Sequence, residues 1–160
     1  MAAVIVDVAE AVKEEIKLVS PIARTILPKR LYVDFDVPLE EIGQLRVDVM
    51  PKNVSRTELA ARGFTHYETS VTVGVRYRFG PERRTAFGEV ESSEIDDLIL
   101  LVQQLHDYFV DYGNGRRLST YTTAVWRETE LLYWFDPKHL REHSQFTGLL
   151  SVGYDVRVAQ

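Results

Sequence analysis

His139-Leu140-Arg141-Glu142-His143 is the stretch that comes closest to a catalytic signature. It matches H-x-x-E-H, the inverted zinc-protease pattern. On a helix, residues four apart share a face, so both imidazoles would reach one cation and Glu142 would activate a metal-bound water. A catalytic zinc also needs a third protein ligand. Only 17 residues follow His143, and they hold one carboxylate, Asp155, within a predicted strand. Asp136-Pro137 begins the segment, and proline suits the first turn of a short connector helix. A small metal-dependent hydrolase using His139, Glu142 and His143 is therefore the alternative reading rather than the leading one.

The other candidate groups are weaker. His106 falls in the apolar arc of a predicted helix and reads as a core histidine bonded to backbone. No serine sits in a G-x-S-x-G elbow. Gly113-Asn114-Gly115-Arg116-Arg117 resembles a phosphate loop, but it follows a helix rather than a strand and opens no helix of its own. Asp34 with Asp36, and Glu128 with Glu130, each fall on one strand face, as expected of the solvated side of a sheet. These residues imply no catalytic centre, no metal and no cofactor, and they point to assembly rather than catalysis.

Residues suited to contact are more plentiful. Lys52, Arg56, Arg62, Arg76, Arg78, Arg83, Arg84, Arg116 and Arg117 concentrate in predicted loops and strand ends, where they would meet phosphates or acidic partner surfaces. Leu100 points away from the apolar arc of its helix. Tyr121, Trp126, Tyr133, Trp134 and Phe135 cluster in and before one strand, and aromatics serve both cores and interfaces. The candidate subunit or partner interface is Lys52, Arg56, Arg62, Arg83, Arg84, Leu100, Arg116 and Arg117.

Composition sets the outer limits. A chain of 160 residues, 45% hydrophobic and 27% charged, fits a single domain over 1–160 with one core. The net charge of −5 gives no general basis for nucleic-acid binding. The lack of cysteine excludes a disulfide scaffold, a thiolate metal site and a cysteine nucleophile. No apolar run approaches the ~20 residues of a membrane span, so no membrane association is expected. Residues 1–17 carry four acidic side chains and read as an amphipathic helix rather than a signal peptide.

The elements that must position these residues follow from periodicity. Ile5, Val8, Val12, Ile16 and Val19 predict a helix over 4–19. Alternation predicts strands over 31–37 and 45–49, joined as a hairpin, with Pro51 ending the second. Residues 52–66 lack a period and read as a long loop. A long strand is predicted over 67–79, with Arg76 and Arg78 on its solvated side. The helix over 93–109 is capped by Ser93 with Asp96 three residues on. A strand over 123–135 places Trp126 opposite Leu131, and the final strand covers 146–158. The expected fold is α+β: an antiparallel sheet of about five strands with two main helices packed on one face.

In this order of elements the chain resembles the tail terminator family of long-tailed bacteriophages. The resemblance rests on the helix Val4–Val19, on Leu45-Arg46-Val47-Asp48-Val49-Met50-Pro51, and on the strand Val71–Phe79. It continues through Ser93-Glu94-Ile95-Asp96-Asp97-Leu98 and through His139–Phe146 leading into Leu150–Val158. It covers most of the chain as a pattern of elements and apolar positions. It implies a homo-oligomeric ring, typically a hexamer, that caps the tail tube and joins it to the head–neck connector; another neck component is the nearest variant. The implied partners are the tail tube protein, the connector and neighbouring subunits, with DNA passing through the lumen without sequence-specific contacts. The implied location is the tail–neck junction of the virion, after assembly in the host cytoplasm.

Overall fold

The computed structural model describes residues 3–19, 28–32, 35–59, 63–81, 90–110 and 117–159. Helix α1 (Val4–Ile16) buries Val8, Val12 and Ile16 at four-residue spacing and ends before the predicted Val19. Strands β1 (Lys29–Arg30), β2 (Leu45–Leu59) and β3 (Phe64–Arg78) follow. Helix α2 (Ser92–Val110) buries Leu98, Leu101, Val102, Leu105 and Phe109. It starts at Ser92, so Ser93 lies inside its first turn rather than at its cap. Strands β4 (Arg117–Leu118) and β5 (Tyr121–Tyr133), the short helix α3 (Pro137–His143) and strand β6 (Gln145–Ala159) complete the order.

The fold is α+β, with three helices and six strands among the described residues. The sheet runs β1-β2-β3-β6-β5-β4. It is mixed rather than purely antiparallel, because β1 pairs with β2 in parallel at Asp48 and Val49. The remaining pairings are antiparallel.

Three expectations are corrected by this topology. Of the expected strand over 31–37, residues 33 and 34 lie outside the described residues and the rest are not strand: Phe35 and Asp36 lie in a turn, and Leu31 adds one bond to the end of β1, donating to the Val49 carbonyl. The apolar alternation there has another purpose, since Phe35 and Leu39 are buried anchors of a loop that covers the sheet. The stretch 52–66 is not a long loop but the far half of a hairpin, with β2 and β3 paired from Leu45↔Tyr77 to Leu59↔Phe64. Asn53, Ser55 and Thr57 are polar and Val54 and Phe64 are isolated apolar residues, so backbone pairing holds the strands where no continuous apolar period marks them. Pro51 does not end β2. The register jumps from Pro51↔Val71 to Asn53↔Ser70, leaving Lys52 as the extra residue of a β-bulge, a position where proline is tolerated in a strand. Gly63, with φ of +66°, supplies the left-handed residue that leads back into β3.

One face of the sheet carries the core. Val71, Val73 and Val75 of β3, with Leu150, Val152 and Tyr154 of β6, join α1 and α2 in one buried cluster. Two bulges in β5, at Trp126/Glu128 and Leu131/Tyr133, reset its alternation. Trp126 and Leu131 therefore share the core face, pairing with Tyr154 and Leu150, and do not oppose each other as simple alternation implied.

The second face is divided. Its lower half is buried and polar rather than solvated as expected. Arg76 is buried and its Nη2 donates to Asp48 Oδ2 at 2.7 Å. The Phe35 ring lies under the Arg76 guanidinium at 5.0 Å and fills the space left by Gly74. Leu39 donates its N–H to Gln145 Oε1 at 2.7 Å, and Arg78 donates to the Leu39 carbonyl. Helix α3 closes the same end, with His139 Nδ1 at 2.9 Å from Thr147 Oγ1. The upper half of this face is open.

Candidate functional site

Two surfaces stand out among the described residues. The first is the arm formed where β2, β3 and β6 run on past the helices. Val54 on β2 is 50% exposed, Phe64 on β3 41% and Val158 on β6 36%. The register places Val54 beside Thr69 and Val158 beside Thr65, on the core-side face; Phe64 lies on the other. The arm thus exposes apolar side chains on both faces. Its outer border is also bare: among the described residues, β1 covers only Asp48 and Val49 of β2. Such a border presents unpaired N–H and C=O groups to a neighbouring chain. On the opposite border, β4 contributes two residues, paired at Val125 and Tyr121 of β5.

The candidate interface residues are dispersed relative to this arm. Lys52 at the bulge and Arg56 further out are exposed on β2. Arg117 lies on β4 at the other border, where its Nη1 donates to the Thr122 carbonyl at 2.8 Å. Leu100 is 50% exposed on the outer side of α2. Arg62, Arg83, Arg84 and Arg116 lie outside the described residues, as does the Gly113–Gly115 stretch. Arg76 and Arg78 belong to the buried network and leave the contact set. Tyr133 and Trp134 are exposed near one end of β5, and Tyr121, Trp126 and Phe135 pack against the core.

The second surface is a cleft of about 500 Å³ on the open upper half of the second face, lined by His66, Arg117, Thr123, Val125, Asp155 and Arg157 among others. Strand pairing builds it. Glu68 faces Asp155 directly across β3 and β6, and His66 faces Arg157 two residues along. Arg127, the extra residue of the first β5 bulge, reaches back so that its Nε lies 3.3 Å from Asp155 Oδ1. Its Nη2 donates to the Thr69 carbonyl and its Nη1 to Glu128. Sequence reading missed this group because His66 was assigned to a loop. The available signal was the period-two spacing of His66 and Glu68, together with Asp155 as an acidic interruption of an apolar strand.

The motif histidines occupy a different end of the sheet. Asp136 caps α3 by accepting from the Lys138 and His139 N–H groups, and Pro137 takes the first turn. Ser144, left-handed at φ 52°, ends it. His139 is buried, while Glu142 and His143 approach each other at 4.0 Å on the more exposed side. Among the described residues, the grouping of three His, Asp or Glu donors close enough to share a cation is His66, Glu68 and Asp155, not this motif. His106 is half-buried rather than a core residue: its Nδ1 lies 3.0 Å from Asp107 Oδ1 and its ring lies near Trp134, with centroids 6.4 Å apart.

Two ionisable groups are displaced from their ordinary behaviour. Lys17 bonds to the Glu14 carboxylate and lowers its pKa. Burial raises the pKa of Tyr121, with the nearby charge of Asp7 adding to it. Both lie at α1 and its border with β5, away from the cleft.

No protein-family model matches the chain, and no curated protein matches it significantly. No helix among the described residues is long and apolar enough to cross a membrane.

Proposed function

We propose that the chain is a virion assembly protein of the tail terminator kind, a subunit of a homo-oligomeric ring that caps a phage tail tube and joins it to the neck. The observation that carries this reading is the arm: three paired strands extending past the helices, with Val54, Phe64 and Val158 exposed and the β2 border uncovered beyond Asp48 and Val49 among the described residues. Apolar side chains on both faces of an extended ladder are unfavourable in a lone chain and favourable when a neighbour covers them. The two sheet borders differ, so a contact from the arm of one subunit to another surface of the next is heterologous, and a heterologous contact that closes on itself makes a ring. Six copies and a DNA-filled lumen come from the family resemblance.

The test is a variant carrying Val54→Lys, Phe64→Lys and Val158→Lys. These side chains lie outside the buried core, so the monomer keeps its far-UV and near-UV circular dichroism. The expected result is loss of ring formation, read by sedimentation and by electron microscopy of the protein mixed with tail tubes. Normal rings or normal capping by the variant would remove the arm from the assembly.

A further inference from the structure

The open cleft contains a charge arrangement that ring assembly does not use. Glu68 and Asp155 are directly opposed across the β3–β6 ladder, and like charges in that relation repel. His66 precedes Glu68 by two residues and shares its face. One donor atom from each of the three lies within 4.8 Å of the others. His66 Nε2 is 3.4 Å from Asp155 Oδ1, and both atoms are buried without a hydrogen bond. Arg127 offsets part of the charge on Asp155, but its Nη groups are held by Glu128 and the Thr69 carbonyl. Glu68 is exposed and forms no ion pair among the described residues, so its carboxylate is available to a cation.

We infer that His66, Glu68 and Asp155 bind a divalent transition-metal cation, zinc before others. Ligands about 2.1 Å from a tetrahedral ion stand roughly 3.4 Å apart, the spacing that His66 Nε2 and Asp155 Oδ1 already have. Glu68, at the end of a flexible exposed side chain, closes the third position. One imidazole nitrogen with two carboxylate oxygens suits zinc or manganese, whereas calcium and magnesium favour all-oxygen shells. The adjoining cleft leaves room for water at the remaining position. Because two ligands come from β3 and one from β6, the ion ties these strands together at the root of the arm. The site is independent of ring formation, since its readout is metal bound per chain.

The experiment is calorimetric titration of the apo protein with zinc, manganese and magnesium chlorides, with metal analysis after dialysis. The expected result is one zinc per chain, weaker manganese binding and no magnesium binding. Glu68→Gln should weaken zinc binding at least about 10-fold, and His66→Gln should do the same. Glu68 is exposed, so its variant keeps the fold, and circular dichroism verifies this for both. His139→Gln combined with His143→Gln should leave the affinity unchanged. No zinc uptake up to about 1 mM would overturn the inference. So would uptake that ignores the Glu68 and His66 variants, or uptake abolished by changing His139 and His143.

Discussion

Asp48 is the most consequential single side chain in the polar half of the sheet. Fully buried, it accepts from Arg76 at 2.7 Å and from Arg46 at 3.2 Å. A buried pair adds little over an apolar one, but removing one partner leaves an uncompensated charge. Asp48→Ala should therefore cost about 3–5 kcal/mol in urea unfolding, and adding Arg76→Met should recover much of that loss. An equal or greater loss in the double variant would mean that Arg76 contributes through packing rather than charge. Gly74 depends on a different contact, since a Cβ there would overlap the Phe35 ring. Gly74→Ala should destabilise by about 1–3 kcal/mol, and the loss should shrink in a Phe35→Ala background if the ring is the obstacle.

Between elements, Glu15 is the main polar tie. It is buried near the end of α1, accepting from Tyr108 Oη on α2 at 2.9 Å and from the Ser119 N–H at 3.0 Å in the turn between β4 and β5. Glu15→Ala removes the acceptor that the half-buried Tyr108 hydroxyl and the exposed Ser119 N–H share, and should cost about 1–2 kcal/mol. A change below ~0.5 kcal/mol would show that water replaces the carboxylate freely. Sequence periodicity disclosed the elements whose apolar faces are continuous: α1, α2, the inner part of β3, and β6. The short helix after Asp136 was legible from its cap and its proline. Glu15 was hidden because an acid on a predicted amphipathic helix reads as solvated. The outer halves of β2 and β3 were hidden because Asn53, Ser55 and Thr57 pair through backbone and leave no apolar signal. Bulges at Lys52 and Arg127 shifted the parity that strand reading relies on. The cleft was not legible: His66 falls in the expected 52–66 loop, so its period-two spacing to Glu68 carried no strand face, and it is the β3–β6 register that brings Asp155 opposite Glu68.

At the scale of the whole molecule, the covered half of the sheet and the bare arm divide the work. The buried polar network and its Phe35–Leu39 cover close one end of the second face, while the proposed assembly would use the exposed apolar residues at the other. Assembly is thus expected to fail through changes to the arm without loss of fold, and folding to fail through changes at Asp48, Gly74 or Glu15. The most direct measurement is the mass of the protein in solution by sedimentation velocity over a concentration series. A closed hexamer would weigh roughly 110 kDa, six times the 18.4-kDa chain. The account predicts a discrete ring species near that mass for the wild type and a monomer for the variant with lysine at positions 54, 64 and 158. A wild-type protein that remains monomeric at every concentration, alone and with tail tubes, would contradict it.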